Sequence, residues 1–137
     1  MQVQIYAQGT YFERYTQAAK KEWIRFRNDL NVMKKGSCIY IAGHNGLVGN
    51  SIIRALNKNG FTNLLTINRS ELDLTNSEEV SKFFSKNKIE YVFDAAAKVG
   101  GIKANDNYSA EFIFENTMIQ SNLIHYSYKN NIKKILF

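Results

Sequence analysis

Proline is absent from this sequence of 137 residues, and cysteine and tryptophan occur once each. The single cysteine, Cys38, excludes an internal disulfide and fits a reducing, cytoplasmic setting. Its place at the start of an apolar run marks it as a small buried hydrophobe rather than a reactive thiol. No apolar stretch approaches the roughly 18 residues that span a bilayer, so no transmembrane segment is expected. Met1 to Thr10 has neither a basic start nor a continuous apolar core, which excludes a signal peptide from the reading. The missing proline carries no functional reading, and no residue is assigned to a metal.

What is present is the composition of a soluble globular domain, with 45% hydrophobic, 13% aromatic and 22% charged residues. The length suits one compact domain and not two. The net charge of +6 is uneven. Residues 1–36 carry seven Lys or Arg against three Asp or Glu, and residues 37–137 carry eleven against nine. The basic excess therefore sits mainly outside the domain, and the domain shows no nucleic-acid motif or basic-aromatic stripe. Nucleic acid is not expected as a partner.

Residues 1–34 read as an N-terminal extension. Phe12, Tyr15, Ala19, Trp23, Phe26 and Leu30 recur at helical spacing, which predicts an amphipathic helix packed on its own domain. Met33-Lys34-Lys35-Gly36 has the form of a natural start, which would make residues 1–32 an appended segment. From residue 35 to 137 strands and helices alternate. The apolar, partly β-branched run Cys38 to Ala42 predicts a buried strand. A helix follows over Leu47 to Lys58, ended by Asn59 and Gly60, and a second strand over Leu64 to Ile67. Thr75 or Asn76 caps a further helix to about Lys86, with Val80, Phe83 and Phe84 on one face. Tyr91 to Asp94 forms a strand that exits through Ala95 to Ala97. A long helix over Ser109 to Lys129 leads to a last strand, from Ile132 or Lys133 to Phe137. Such alternation predicts an α/β fold, a Rossmann-type doubly wound parallel sheet. The expected sheet is truncated after the strand ending at Phe137, leaves an open apolar edge there, and holds a dinucleotide only weakly.

The segment Gly43-His44-Asn45-Gly46-Leu47-Val48-Gly49 joins a strand to a helix, with its three glycines spaced three apart. In that context Gly43 allows the tight turn, Gly46 the approach of backbone N–H groups to a pyrophosphate, and Gly49 close packing of helix on sheet. An acid about 20 residues beyond the glycines accepts from the ribose in NAD-binding domains. Here that position, 20 residues after Gly49, is Arg69. A guanidinium suits the 2′-phosphate of NADP, while Glu71 and Asp73 nearby keep NAD open as the lesser alternative. The competing readings are a glycine turn without ligand and a solvated surface arginine.

Together with Arg69-Ser70-Glu71-Leu72-Asp73-Leu74 and Ala95-Ala96-Ala97-Lys98-Val99-Gly100-Gly101, the glycine segment resembles the GDP-L-fucose synthases, a family of extended short-chain dehydrogenases/reductases. Ile102 to Asn107 and Glu111 to Asn122 continue the likeness, which covers about Lys35 to Phe137. The Ala-Ala-Ala-Lys-Val-Gly-Gly run is more specific than the glycine turn. The resemblance implies an NADP-dependent oxidoreductase and epimerase of nucleotide-sugar metabolism. It would act on GDP-4-keto-6-deoxymannose as a homodimer, and this chain would be its N-terminal, cofactor-binding part. It implies that Gly43 to Gly49 wrap the pyrophosphate, that Arg69 to Leu74 contact the adenosine half, and that a short strand lies near Leu72. Ala95, Ala96 and Ala97 would line the ribose and nicotinamide side, and Lys98 to Gly101 the edge where the sugar enters. Asn45 stands where a basic residue is common, and Ser109 where a proline is usual. The family's Ser, Tyr and Lys, and its epimerising Cys and His, have no counterparts up to Phe137. No catalytic residue is therefore assigned, and this chain alone is expected to be inactive. Two other readings are a different sugar-nucleotide epimerase or dehydratase, and a non-catalytic dinucleotide-binding module.

Overall fold

The structure, a computed structural model, describes residues 2–4 and 33–137. The helix predicted over Phe12 to Leu30 lies outside the described residues. In chain order the elements are β1 (Gln2–Gln4), β2 (Ile39–Ala42), α1 (Leu47–Lys58), β3 (Leu64–Leu65), α2 (Ser77–Lys86), β4 (Tyr91–Asp94), α3 (Ile102–Asn107), α4 (Ser109–Lys129) and β5 (Lys134–Leu136).

The strands form one parallel sheet in the order β1-β5-β4-β2-β3. All four residues of β2 are buried, as expected of a strand covered on both faces. Strand alternation sends Tyr40, Val92 and Ile135 to one face, where Val80 and Phe84 of α2 and Ile119 and Leu123 of α4 meet them. Ile39, Ile41, Phe93 and Leu136 point the other way, onto Leu56 of α1, Phe61 and Met33. Each such side chain contributes about 1.5–3 kcal/mol by leaving water. The Tyr40 ring also packs against Phe83 and Phe84, at centroid distances of 4.8 and 6.1 Å. Helices on both faces of a parallel sheet make this the doubly wound Rossmann-type architecture expected.

The helix ends follow local chemistry. Gly60 ends α1 at φ 78°, and Asn76 caps α2 by accepting from the N–H groups of Glu78 and Glu79 at 3.0 and 3.2 Å. Four expectations need correction. Residues 2–4, assigned to the helical extension, form a strand. Strand β1 lies along β5, with Gln2 opposite Lys134 and Gln4 opposite Leu136, so the predicted open edge at β5 is covered. The second strand ends at Leu65, not Ile67. No strand forms near Leu72, because turns take the local backbone donors. Leu72 N donates to Asn68 O, Asp73 N to Glu79 Oε2 and Thr75 N to Asp73 Oδ1.

From β2 the chain runs outward to β3 and then returns to β4 on the other side of β2. In open parallel sheets that reversal opens a crevice at the carboxyl ends of the strands.

Candidate functional site

The crevice is present as a cavity of about 380 Å³ at the carboxyl ends of β2, β3 and β4. Its floor is the glycine turn. Gly43 sits at φ 73°, and a Cβ there would collide with the Ala95 carbonyl and approach Ala96 N to 2.7 Å. A Cβ on Gly49 would strike the Gly43 carbonyl and lie 2.8 Å from its carbon. The two glycines let the turn, the start of α1 and the exit of β4 share one small space.

Gly46 is the N-cap of α1 in extended conformation, and no side chain caps the helix or places an acid in its first turn. Its own N–H is used, donating to Gly43 O at 3.0 Å, while the first helical bond runs from Asn50 N to Gly46 O. The amides of Leu47, Val48 and Gly49 precede that bond and carry the positive end of the helix dipole. The side chains of Leu47 and Val48 are exposed. Such a start fits an anion.

The cavity brings together Gly43, His44, Asn45, Gly46, Leu47, Val48, Arg69, Asp73, Leu74, Ala95, Ala96 and Ala97. Gly49 alone among the predicted residues is not in its lining, because it is packed beneath the turn. Three lining residues were missed: Tyr40, Ile67 and Ile119. Their apolar character read as core, and Tyr40 and Ile119 do belong to the core cluster. Ile119 comes from a distant helix, and no local signal could have placed it here.

The polar rim is internally bonded. Asn45 Nδ2 donates to Asn68 Oδ1 at 3.0 Å, and Asn68 Nδ2 donates to Glu71 Oε2 at 3.0 Å. Asp73 Oδ1 accepts from both N and Oγ1 of Thr75, and these bonds hold its carboxyl below the usual range. Arg69 Nη2 lies 3.3 Å from Glu115 Oε2 on α4, with the arginine side chain 72% exposed. Glu115 Oε1 also receives Lys98 Nζ. The Lys98 hydrogen bond, with a smaller contribution from Arg69, keeps the Glu115 carboxyl below its ordinary value.

The loop leaving β4 is fastened to α4. Lys98 N donates to Asn116 Oδ1 at 2.7 Å, and Asn116 Nδ2 donates back to Lys98 O at 3.0 Å. One residue before that loop, Asp94 accepts from Ala96 N at 3.0 Å. Burial pushes its carboxyl up to about 6, against the opposing pull of that bond. Cys38 is half-buried, and burial, with the charge of Glu90, raises its thiol. Among the described residues no group of His, Cys, Asp and Glu could hold a metal ion, and no helix is long and apolar enough to cross a membrane.

Sheet order, glycine turn and crevice together define a Rossmann-type domain. The chain belongs to the NAD dependent epimerase/dehydratase family, whose pattern matches residues 39–137. It is 52% identical over 103 residues to GDP-L-fucose synthase 1 of Arabidopsis thaliana, covering 75% of this chain and 32% of that protein. Identity to the GDP-L-fucose synthase of Escherichia coli K12 is 48% over 99 residues, 72% of this chain and 31% of the relative. Among solved structures, the GDP-mannoheptose C4 reductase of Campylobacter jejuni with NADP bound superposes with a TM-score of 0.73 at 49% identity. That match covers 77% of this chain and 31% of the reductase. The chain thus spans about a third of the length of the relatives it matches.

Proposed function

We propose that residues 35–137 are the cofactor-binding part of an NADP-dependent nucleotide-sugar epimerase/reductase that converts GDP-4-keto-6-deoxymannose to GDP-L-fucose. The observation that carries this reading is the uncapped, glycine-floored start of α1 opening into the crevice, with the Arg69 guanidinium at the rim. The amides of Leu47, Val48 and Gly49 would hold the pyrophosphate, supported by the turn through His44 and Asn45. Arg69 would receive the 2′-phosphate, Asp73 and Leu74 would border the adenosine, and Ala95, Ala96 and Ala97 would leave room for ribose and nicotinamide. When bound, the nicotinamide supplies the hydride for carbonyl reduction. The proton that must accompany it needs a donor within hydrogen-bond reach of the carbonyl oxygen, and that part is given to none of the lining residues, so no catalytic residue is assigned. Localisation is read as cytoplasmic and the assembly as a homodimer through α4, a reading supported by its exposed Ile113 and Phe114.

A second reading rests on the heptose reductase, which is as similar to this chain as the bacterial fucose synthase is. On that reading the same cofactor half serves a GDP-heptose. Calorimetric titration of this chain with NADP+ and NAD+ tests the shared part. NADP+ should bind more tightly, and Arg69→Ala should weaken NADP+ by about tenfold or more while leaving NAD+ within about twofold. Equal affinities for the two dinucleotides would refute the assignment of Arg69.

A further inference from the structure

Arg69 does not wait free at the rim. Its guanidinium lies against Glu115, a residue 46 positions away on the second turn of α4. Glu115 is half-buried and shares its other oxygen with Lys98, which is itself held through its backbone by Asn116. The carboxylate is therefore fixed from two sides, while Arg69, largely exposed, is the movable member. A phosphate at the crevice mouth and the Glu115 carboxylate are both anions that the same planar fork can grip. Asn45, over the glycine turn, carries no charge and is already committed to Asn68. Of the Lys and Arg side chains lining the crevice, Lys98 is the less exposed and is held on Glu115, which leaves the largely exposed Arg69 as the one placed to discriminate by charge.

We propose that Glu115 is a specificity-setting, positioning residue: it holds Arg69 beside the crevice and competes with the 2′-phosphate of the dinucleotide for its guanidinium. This rests on the NADP reading above. Glu115 touches no part of the dinucleotide and acts through Arg69 alone. Before a dinucleotide binds, the ion pair holds the arginine against Glu115 of α4 rather than scattered in solvent. On binding, Arg69 exchanges one anion for another, and the affinity for a 2′-phosphorylated dinucleotide is lower than an unopposed arginine would give. An unphosphorylated dinucleotide requires no exchange and is indifferent to Glu115.

The test is a double-mutant cycle on this chain, with NADP+ and NAD+ as probes in calorimetry at fixed, low ionic strength. Glu115→Gln keeps the side chain's size and should tighten NADP+ by about two- to fivefold, the range of an exposed ion pair. NAD+ should not change. In the Arg69→Ala background the gain from Glu115→Gln should vanish. Glu111→Gln, which removes an exposed carboxylate one turn earlier on α4, controls for net charge and should leave NADP+ unchanged. A gain that persists without Arg69, appears equally with NAD+ or is matched by Glu111→Gln would overturn the proposal. NADP+ binding that Glu115→Gln leaves unaltered would overturn it while sparing the NADP reading. Absence of NADP+ binding in every variant at millimolar ligand would instead overturn both.

Discussion

Asp94 offers the most direct test of how burial is balanced in this fold. Its carboxyl ends β4 beside the crevice, and burial raises it from 3.8 to about 6, with one backbone bond from Ala96 opposing the rise. The folded chain therefore binds this proton more tightly than the unfolded chain does. The contribution to stability is full below about pH 3.8 and is lost as pH rises through about 6. At about 1.4 kcal/mol per pH unit, that gap corresponds to about 3 kcal/mol. The lowered carboxyls of Asp73 and Glu90 act in the opposite sense, but only as pH falls below their ordinary values of 3.8 and 4.5. Between about pH 5 and pH 6.5 Asp94 should therefore dominate the slope. Asp94→Asn keeps an oxygen to accept from Ala96 N and removes the charge. Urea unfolding followed by far-ultraviolet circular dichroism should show the variant about 2–3 kcal/mol more stable than the parent at pH 7.5. The gap should shrink to about 1 kcal/mol near pH 4.5 and close below about pH 3.8, with the fall in stability across the window absent from the variant. Parallel pH profiles for the two proteins, or a less stable variant at pH 7.5, would refute the reasoning.

Three further outcomes are expected. Gly49→Ala should destabilise by about 1–3 kcal/mol, because its methyl group would strike the Gly43 carbonyl oxygen and meet His44 Cα at 2.8 Å, backbone that must shift to admit it; an unchanged urea midpoint would contradict the close approach. Ser127→Ala should raise stability by about 1 kcal/mol, since the Ser127 hydroxyl is fully buried with no hydrogen-bond partner among the described residues, and a loss in the same assay would show that it has one. Leu123→Ala should cost about 2–5 kcal/mol through the cavity left between α4 and the sheet, readable as a fall in melting temperature.

Much of the fold was legible from residue 35 onward. The bounds of α1 and α4 coincide with the predicted Leu47–Lys58 and Ser109–Lys129, because apolar periodicity and end signals such as Asn59-Gly60 agree there. Likewise Asn76 stands two residues before the pair Glu78-Glu79, and the structure uses it as a cap. What escaped was either too short or too distant. The six residues of α3 fill less than two helical turns and leave no periodicity to read. The three residues of β1 acquire their role only through β5, more than a hundred positions away. Around Leu72 the strand was implied by the resemblance and not by periodicity, and side chains of Asp73 and Glu79 capture the backbone donors instead. The crevice followed from strand, turn and helix in sequence. The engagement of Arg69 by Glu115 did not, since it depends on how α4 crosses the sheet.

The paired bonds between Lys98 and Asn116 have a consequence for what can change at position 116. A carboxamide that gives and receives on one peptide unit imitates the edge of a neighbouring strand, and so prolongs the ladder past the point where β4 has run out of partners. Asp at that position would have no hydrogen to offer the Lys98 carbonyl, and Gln would overshoot by a methylene. A single amide thus serves as a one-rung splice between helix and loop, and substitution there would uncouple the path of the Ala95–Gly101 backbone from α4 while leaving both elements folded.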